Sequence, residues 1–184
     1  MNPLTLGLRQ PDPRSCGAAS LVMARLVRDG AVLTPAGFRD EVLACHRRLT
    51  RTRYAGRWQL PWPRPLGTPP WAVRRELDQL TGVRHSVRLA RWSRGAAFDR
   101  LAATGGVFYV GSRSLPRHVL LALHEAGEAG EALSCYQPGQ GTVVRLSRED
   151  FIGSRLREAG WPHPWFTISP AGSASPAGRP QRPR

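Results

Sequence analysis

Through the first hundred positions, apolar residues recur at three- and four-residue spacing; after Gly105-Gly106 they shift towards alternation. The first texture predicts helices and the second predicts strands. Ser15 is placed to cap a helix over 16 to about 28, with Leu21 and Leu26 on its buried side and Gly30 as its stop. Thr34-Pro35 opens a second helix carrying Phe38, Val42, Cys45 and Leu49. A third begins at Thr68 and two prolines, carries Val73, Leu77 and Leu80, and stops at Gly82. A short strand over 83–89 and a fourth helix over 94–103, capped by Ser93, complete this half.

Strands are predicted over 107–110, 118–124, 133–136 and 142–146, the second and third joined by the hairpin-like link EAGEAG. Ser147-Arg-Glu-Asp150 resembles a capping box and starts a last helix to about 158, before a closing strand over 165–168. Helices first and an antiparallel sheet second define an α+β fold. The expected organisation is a single domain over 1–169, with a helical lobe over about 1–105 and a sheet lobe over about 106–169. The stretch 170–184, PAGSASPAGRPQRPR, is low in complexity and cannot bury enough surface to offset its ordering entropy, so it is expected to be a disordered basic tail.

Composition narrows the classes. A chain of 184 residues, 41% hydrophobic and 22% charged, suits one globular domain. No apolar run approaches the roughly 18 residues of a membrane span, and the N-terminus lacks the pattern of a secretory signal. Cysteines at 16, 45 and 135 fit neither a disulfide framework nor a paired zinc site, which points to a reducing cytoplasm. The formal charge is +14, and all 27 Lys+Arg residues are Arg. A GC-rich genome accounts for Arg in place of Lys but not for the excess over acids. Weak nonspecific polyanion binding, mostly through the tail, is therefore expected.

Candidate chemistry concentrates in residues 9–23. Cys16 opens a helix, where the positive end of the dipole favours thiolate. Gly17, Ala18 and Ala19 let a substrate approach, and the Cys16 backbone N–H can join the Gln10 amide in an oxyanion hole. Here the chain resembles the papain-like cysteine peptidases, in particular the bacterial family C39-like branch, which shows Gln and then Cys-Gly-Ala-Ala/Ser near the N-terminus. Arg117-His-Val-Leu-Leu-Ala-Leu123 looks like the strand that carries that family's catalytic His. Tyr136-Gln-Pro-Gly139, Gly141 and Ser147-x-x-Asp-Phe151 look like the turn and helix start that follow it. Order and spacing fit over about 8–155, although 30–105 matches only as a helical lobe of plausible length.

The resemblance implies a papain-like fold and acyl transfer without a cofactor. Cys16 would be the nucleophile, His118 the base, Gln137 the residue orienting His118, and Gln10 an oxyanion donor. The substrate would be a peptide or protein, cleaved or transferred to an amine. Gln137 stands where the family pattern has Asp. An amide can accept a hydrogen bond from His118 Nδ1–H, leaving Nε2 for the Cys16 sulfur, but it cannot support imidazolium as a carboxylate does.

Two other readings remain open: a non-catalytic peptide- or protein-binding module of the same fold, and an Arg-driven nucleic-acid binder. The segment 50–67, with four Arg and two Trp, suits base stacking or a substrate-covering loop. Cys45 and Cys135 read as core, His46 and His163 as exposed, and Glu125, Glu128 and Glu131 as solvated rather than metal-binding. His124, six residues beyond His118, would lie ~20 Å away on a regular strand. With no transporter or ATPase segment, the chain is expected not to be the complete form of a peptide exporter. The sequence does not set the oligomeric state.

Overall fold

The structure, a computed structural model, describes residues 1–54, 56–60, 62, 67–124 and 130–172. Helix α1 (Cys16–Asp29) ends where Gly30 turns left-handed and sends its N–H to the Leu26 and Val27 carbonyls. Helix α2 (Pro35–Leu49) starts on a Thr34 side chain that accepts the Gly37 N–H. A small hairpin, β1 (Arg53–Tyr54) and β2 (Arg57–Trp58), lies in the Arg-rich segment. Then come α3 (Pro70–Thr81), β3 (His85–Leu89), α4 (Arg94–Thr104), β4 (Gly106–Gly111) and β5 (Pro116–Ala122). The chain continues through β6 (Ala132–Gln137), β7 (Thr142–Ser147), α5 (Arg148–Gly153) and β8 (His163–Pro170).

Six strands form one antiparallel sheet in the order β3-β8-β4-β5-β6-β7, so the last strand inserts between the first two. The α+β reading holds. Alternation along the central strands divides the apolar side chains between two cores. Val107, Tyr109, Val119, Leu121 and Tyr136 pack with α1, α2 and α3. Phe108, Val110, Leu120, Ala122, Leu133 and Cys135 pack with Phe98 and Leu101 of α4 and Phe151 of α5. Each fully buried large side chain contributes roughly 1.5–3 kcal/mol. Helix α4 therefore covers the face opposite α1–α3, a placement that periodicity alone does not specify.

Strands β3, β5 and β8 differ from expectation by two residues at their ends, and α5 ends about five residues early. Helix α5 stops at Gly153 because Ser154 adopts a left-handed conformation and the Arg155 N–H closes on the Asp150 carbonyl. Strand β8 runs to Pro170, opposite His85, and the Ala171 N–H then bonds the Arg84 carbonyl. The predicted link at 125–129 and the tail from 173 lie outside the described residues. Gly105-Gly106, where the texture changes, takes positive φ at both residues, and a Cβ on Gly106 would overlap the Ile168 carbonyl. Among the described residues, no helix is long and apolar enough to cross a membrane.

Candidate active site

Strand β5 pairs with β4 along most of its length but with β6 at Leu121↔Tyr136 and Ala122↔Cys135. Towards His118 the two strands diverge, and α1 packs along the freed edge of β5. There the Val119 carbonyl accepts from Ser20 Oγ at 3.4 Å. The Val119 backbone N–H meets the Cys16 sulfur, as do the N–H groups of Gly17 and of Cys16 itself. Cys16 and the strand bearing His118 are thus brought together by backbone contacts.

The N-terminal strap reaches the same place. Tyr136 donates its buried hydroxyl to the Leu8 carbonyl at 2.7 Å, and the Gln10 N–H bonds the Pro138 carbonyl at 2.9 Å. Gly141 has no room for a Cβ, because the Gly7 carbonyl lies 2.6 Å from where it would stand. These contacts hold Gln10 beside the turn that follows Gln137.

That turn fixes the Gln137 amide. Its Oε1 accepts from the Gly139 N–H at 2.6 Å and the Gln140 N–H at 3.2 Å, so the atom facing them is the oxygen. The same Oε1 lies 3.3 Å from His118 Nε2. An oxygen acceptor requires a proton on Nε2, and in the neutral ring Nδ1 then carries the lone pair. Sequence reasoning placed these nitrogens the other way round. Because β5 and β6 diverge here, the far nitrogen of the ring spans the gap. Burial holds the His118 pKa below its ordinary value, with the Gln137 bond opposing, so the ring is neutral at neutral pH.

The thiol also differs from expectation. Cys16 is 4% exposed, and burial pushes its pKa up to about 11 against the pull of the Val119, Gly17 and Cys16 N–H groups. The nearby charge of Asp12 adds to the rise. Desolvation outweighs the helix terminus, and the resting group is a thiol rather than the expected thiolate. Among the described residues, no hydrogen bond joins its sulfur to the His118 ring. Gln10 is near but turned inward: Nε2 donates to the Asp12 carbonyl at 2.8 Å, while Oε1 is buried without a partner. In this arrangement one Nε2 hydrogen is committed to the loop rather than to an oxyanion site.

Sequence reasoning missed the cover over the helix start. A Cβ on Gly17 would come within 2.8 Å of Thr68 Cβ, and Tyr109 donates its hydroxyl to the Thr68 carbonyl at 2.8 Å. Burial, and then the charge a Cys16 thiolate would carry, hold the Tyr109 phenol well above its ordinary value. The only sequence signal at Thr68 is the pair of prolines after it, which reads as a helix start. Elsewhere, Cys45 and Cys135 are buried as expected, and burial pushes Cys45 up to about 12. His46 is buried, not exposed, and His163 is half-buried. Among the described residues, no cluster of three His, Cys, Asp or Glu could hold a metal ion.

Neither protein-family models nor curated proteins give a match to this chain. Among solved structures, it is similar to the peptidase domain of Streptococcus ComA, a bi-functional ABC transporter involved in a quorum-sensing pathway. The match has a TM-score of 0.52 and 19% identity, and covers 89% of this chain and 96% of that chain. Likeness at this identity is likeness of fold. The chain shares a mixed helical and antiparallel-sheet architecture with that domain.

Proposed function

We propose that this protein is a cysteine peptidase-like enzyme that transfers a peptide or amide acyl group through Cys16, His118 and Gln137. One observation carries the reading: the Gln137 amide, oriented by two backbone N–H groups, accepts from His118 Nε2 and leaves Nδ1 as a base. That base sits on the strand whose next residue, Val119, bonds the Cys16 sulfur. The fold shared with a peptidase domain supports the same reading.

The resting state is a neutral thiol and a neutral imidazole, so attack requires general-base catalysis. Substrate binding brings Sγ to Nδ1. As sulfur bonds to the carbonyl carbon, its proton passes to Nδ1, and the oxyanion takes over the N–H groups at the start of α1 that the resting sulfur faces. Nδ1 then returns the proton to the departing amine. Water regenerates the thiol with a carboxylic acid as product, whereas a second amine gives a new amide. Gln137 holds one tautomer throughout but gives imidazolium only a carbonyl dipole.

A second reading, a non-catalytic peptide-binding module, is favoured by the buried thiol and its Thr68 cover. To separate the two, a defined peptide mixture is incubated with the protein, with and without an added amine, and analysed by mass spectrometry. The enzymatic reading expects cleaved or transamidated peptides that vanish with Cys16→Ala and His118→Ala. Peptide binding without turnover, unchanged in both variants, selects the binding module.

A further inference from the structure

A second polar cleft opens on the α4–α5 side of the molecule, with a cavity of about 280 Å³. Four separate parts of the chain converge on it: Arg91 and Arg94 around the start of α4, Arg113 between β4 and β5, Ser154 after α5, and His163 at the start of β8. The wall contains three Arg and no carboxylate. Among the described residues, none of these three Arg forms an ion pair, although the other Arg beside this cleft, Arg148 and Arg155, do.

The groups are positioned rather than scattered. Arg94 anchors one Nη on the Ile152 carbonyl at 2.9 Å, while its Nε is shielded from water and has no protein partner. Arg91 lies over the Trp165 ring, 4.9 Å from its centroid. Ser154 is the one non-glycine residue with positive φ among the described residues, and its hydroxyl is buried without a partner. Burial and then Arg113, Arg94 and Arg91 hold the His163 pKa below its ordinary value, so their positive field meets at this ring. The first turn of α4 adds free N–H groups, since Ser93 makes no side-chain cap bond.

We propose that this cleft is a binding site for a phosphate-class oxyanion, held by Arg91, Arg94 and Arg113 with His163. Guanidinium forks match the tetrahedral oxygens of such a ligand. A water occupies about 30 Å³ of liquid, so the cavity has room for an organic group esterified to the phosphate. The site lies outside the Cys16–His118–Gln137 set and does not depend on that set being catalytic.

The test follows the His163 ring by NMR in the full chain, assigned with His163→Gln, during titration with inorganic phosphate, glycerol phosphate, acetate or chloride at constant ionic strength. Saturable movement with inorganic phosphate, matched or tightened by glycerol phosphate, is expected, with Arg94→Gln and Arg113→Gln each weakening it roughly tenfold or more. Equal movement with chloride would reduce the cleft to surface charge, and equal affinity for acetate would overturn the phosphate assignment. An unchanged midpoint in both Arg variants would overturn the site itself.

Discussion

Replacing Gln137 with Glu is an isosteric way to add the charge that the site lacks. The Gly139 and Gln140 N–H groups that hold Oε1 serve a carboxylate equally well, and among the described residues Gln137 Nε2 makes no hydrogen bond to lose. Across the 3.3 Å to His118 Nε2, two unit charges interact by about 5 kcal/mol at an effective dielectric near 20. Desolvation of the carboxylate takes back a large share, leaving about 2 kcal/mol in favour of imidazolium. That is roughly a thirtyfold gain in the thiolate–imidazolium pair. The starting point is low, because Cys16 is pushed up to about 11. Against an ordinary thiol near 8.5, this leaves about 300-fold less thiolate at pH 7.5. Greater nucleophilicity offsets part of the loss, so wild-type Cys16 should react roughly 20-fold more slowly than a free thiol.

The assay is iodoacetamide alkylation followed at the Cys16 peptide by mass spectrometry between pH 6 and 10. Gln137→Glu should raise the rate at pH 7.5 by roughly tenfold or more and add an inflection that follows His118. Gln137→Ala should not accelerate the reaction. A Gln137→Glu profile that superimposes on wild type would refute the coupling between His118 and the thiol.

Other outcomes follow from the same contacts. His118 and His163 both titrate below their ordinary value in the fold. The unfolded chain therefore binds more protons, and this part of the stability is complete above about pH 6.5 and lost on acidification through the folded values. Denaturant midpoints measured from pH 7 to 5 should fall, and His118→Gln should flatten part of that fall. Gly17→Ala drives a Cβ against Thr68 and should destabilise by about 1–3 kcal/mol in urea unfolding. Tyr136→Phe removes the buried bond to the Leu8 carbonyl and should cost about 1–2 kcal/mol, with faster amide exchange at Gln10.

Local signals carried much of the architecture. Gly30, Thr34-Pro35 and Gly82 marked helix ends that the structure reproduces within two residues, because caps and left-handed stops are local chemistry. Ser15 does precede α1, but its hydroxyl donates to the Asp12 carbonyl instead of capping the helix. Strand β8 between β3 and β4, and α4 on the far face, are long-range pairings to which periodicity is blind. At the site, the order of Gln10, Cys16, His118 and Gln137 was legible in the chain, and the strap and turn contacts gather them in space. The protonation state of Cys16 was not legible. A helix start argues for thiolate, but desolvation by β5 and Thr68 outweighs it, and burial is a property of the assembled fold. Likewise, the ring nitrogen facing Gln137 is set by a turn and by strands that diverge, neither visible in residue spacing.

The central claim, that Cys16 is a nucleophile served by His118, is tested most directly by a peptide bearing an electrophilic carbonyl mimic, with the adduct mapped by mass spectrometry. The account predicts one adduct, on Cys16 rather than on Cys45 or Cys135, formed at least a hundredfold more slowly in His118→Ala, as expected when a general base is lost. An adduct that forms on all three cysteines alike, or on Cys16 at the same rate without His118, would contradict it.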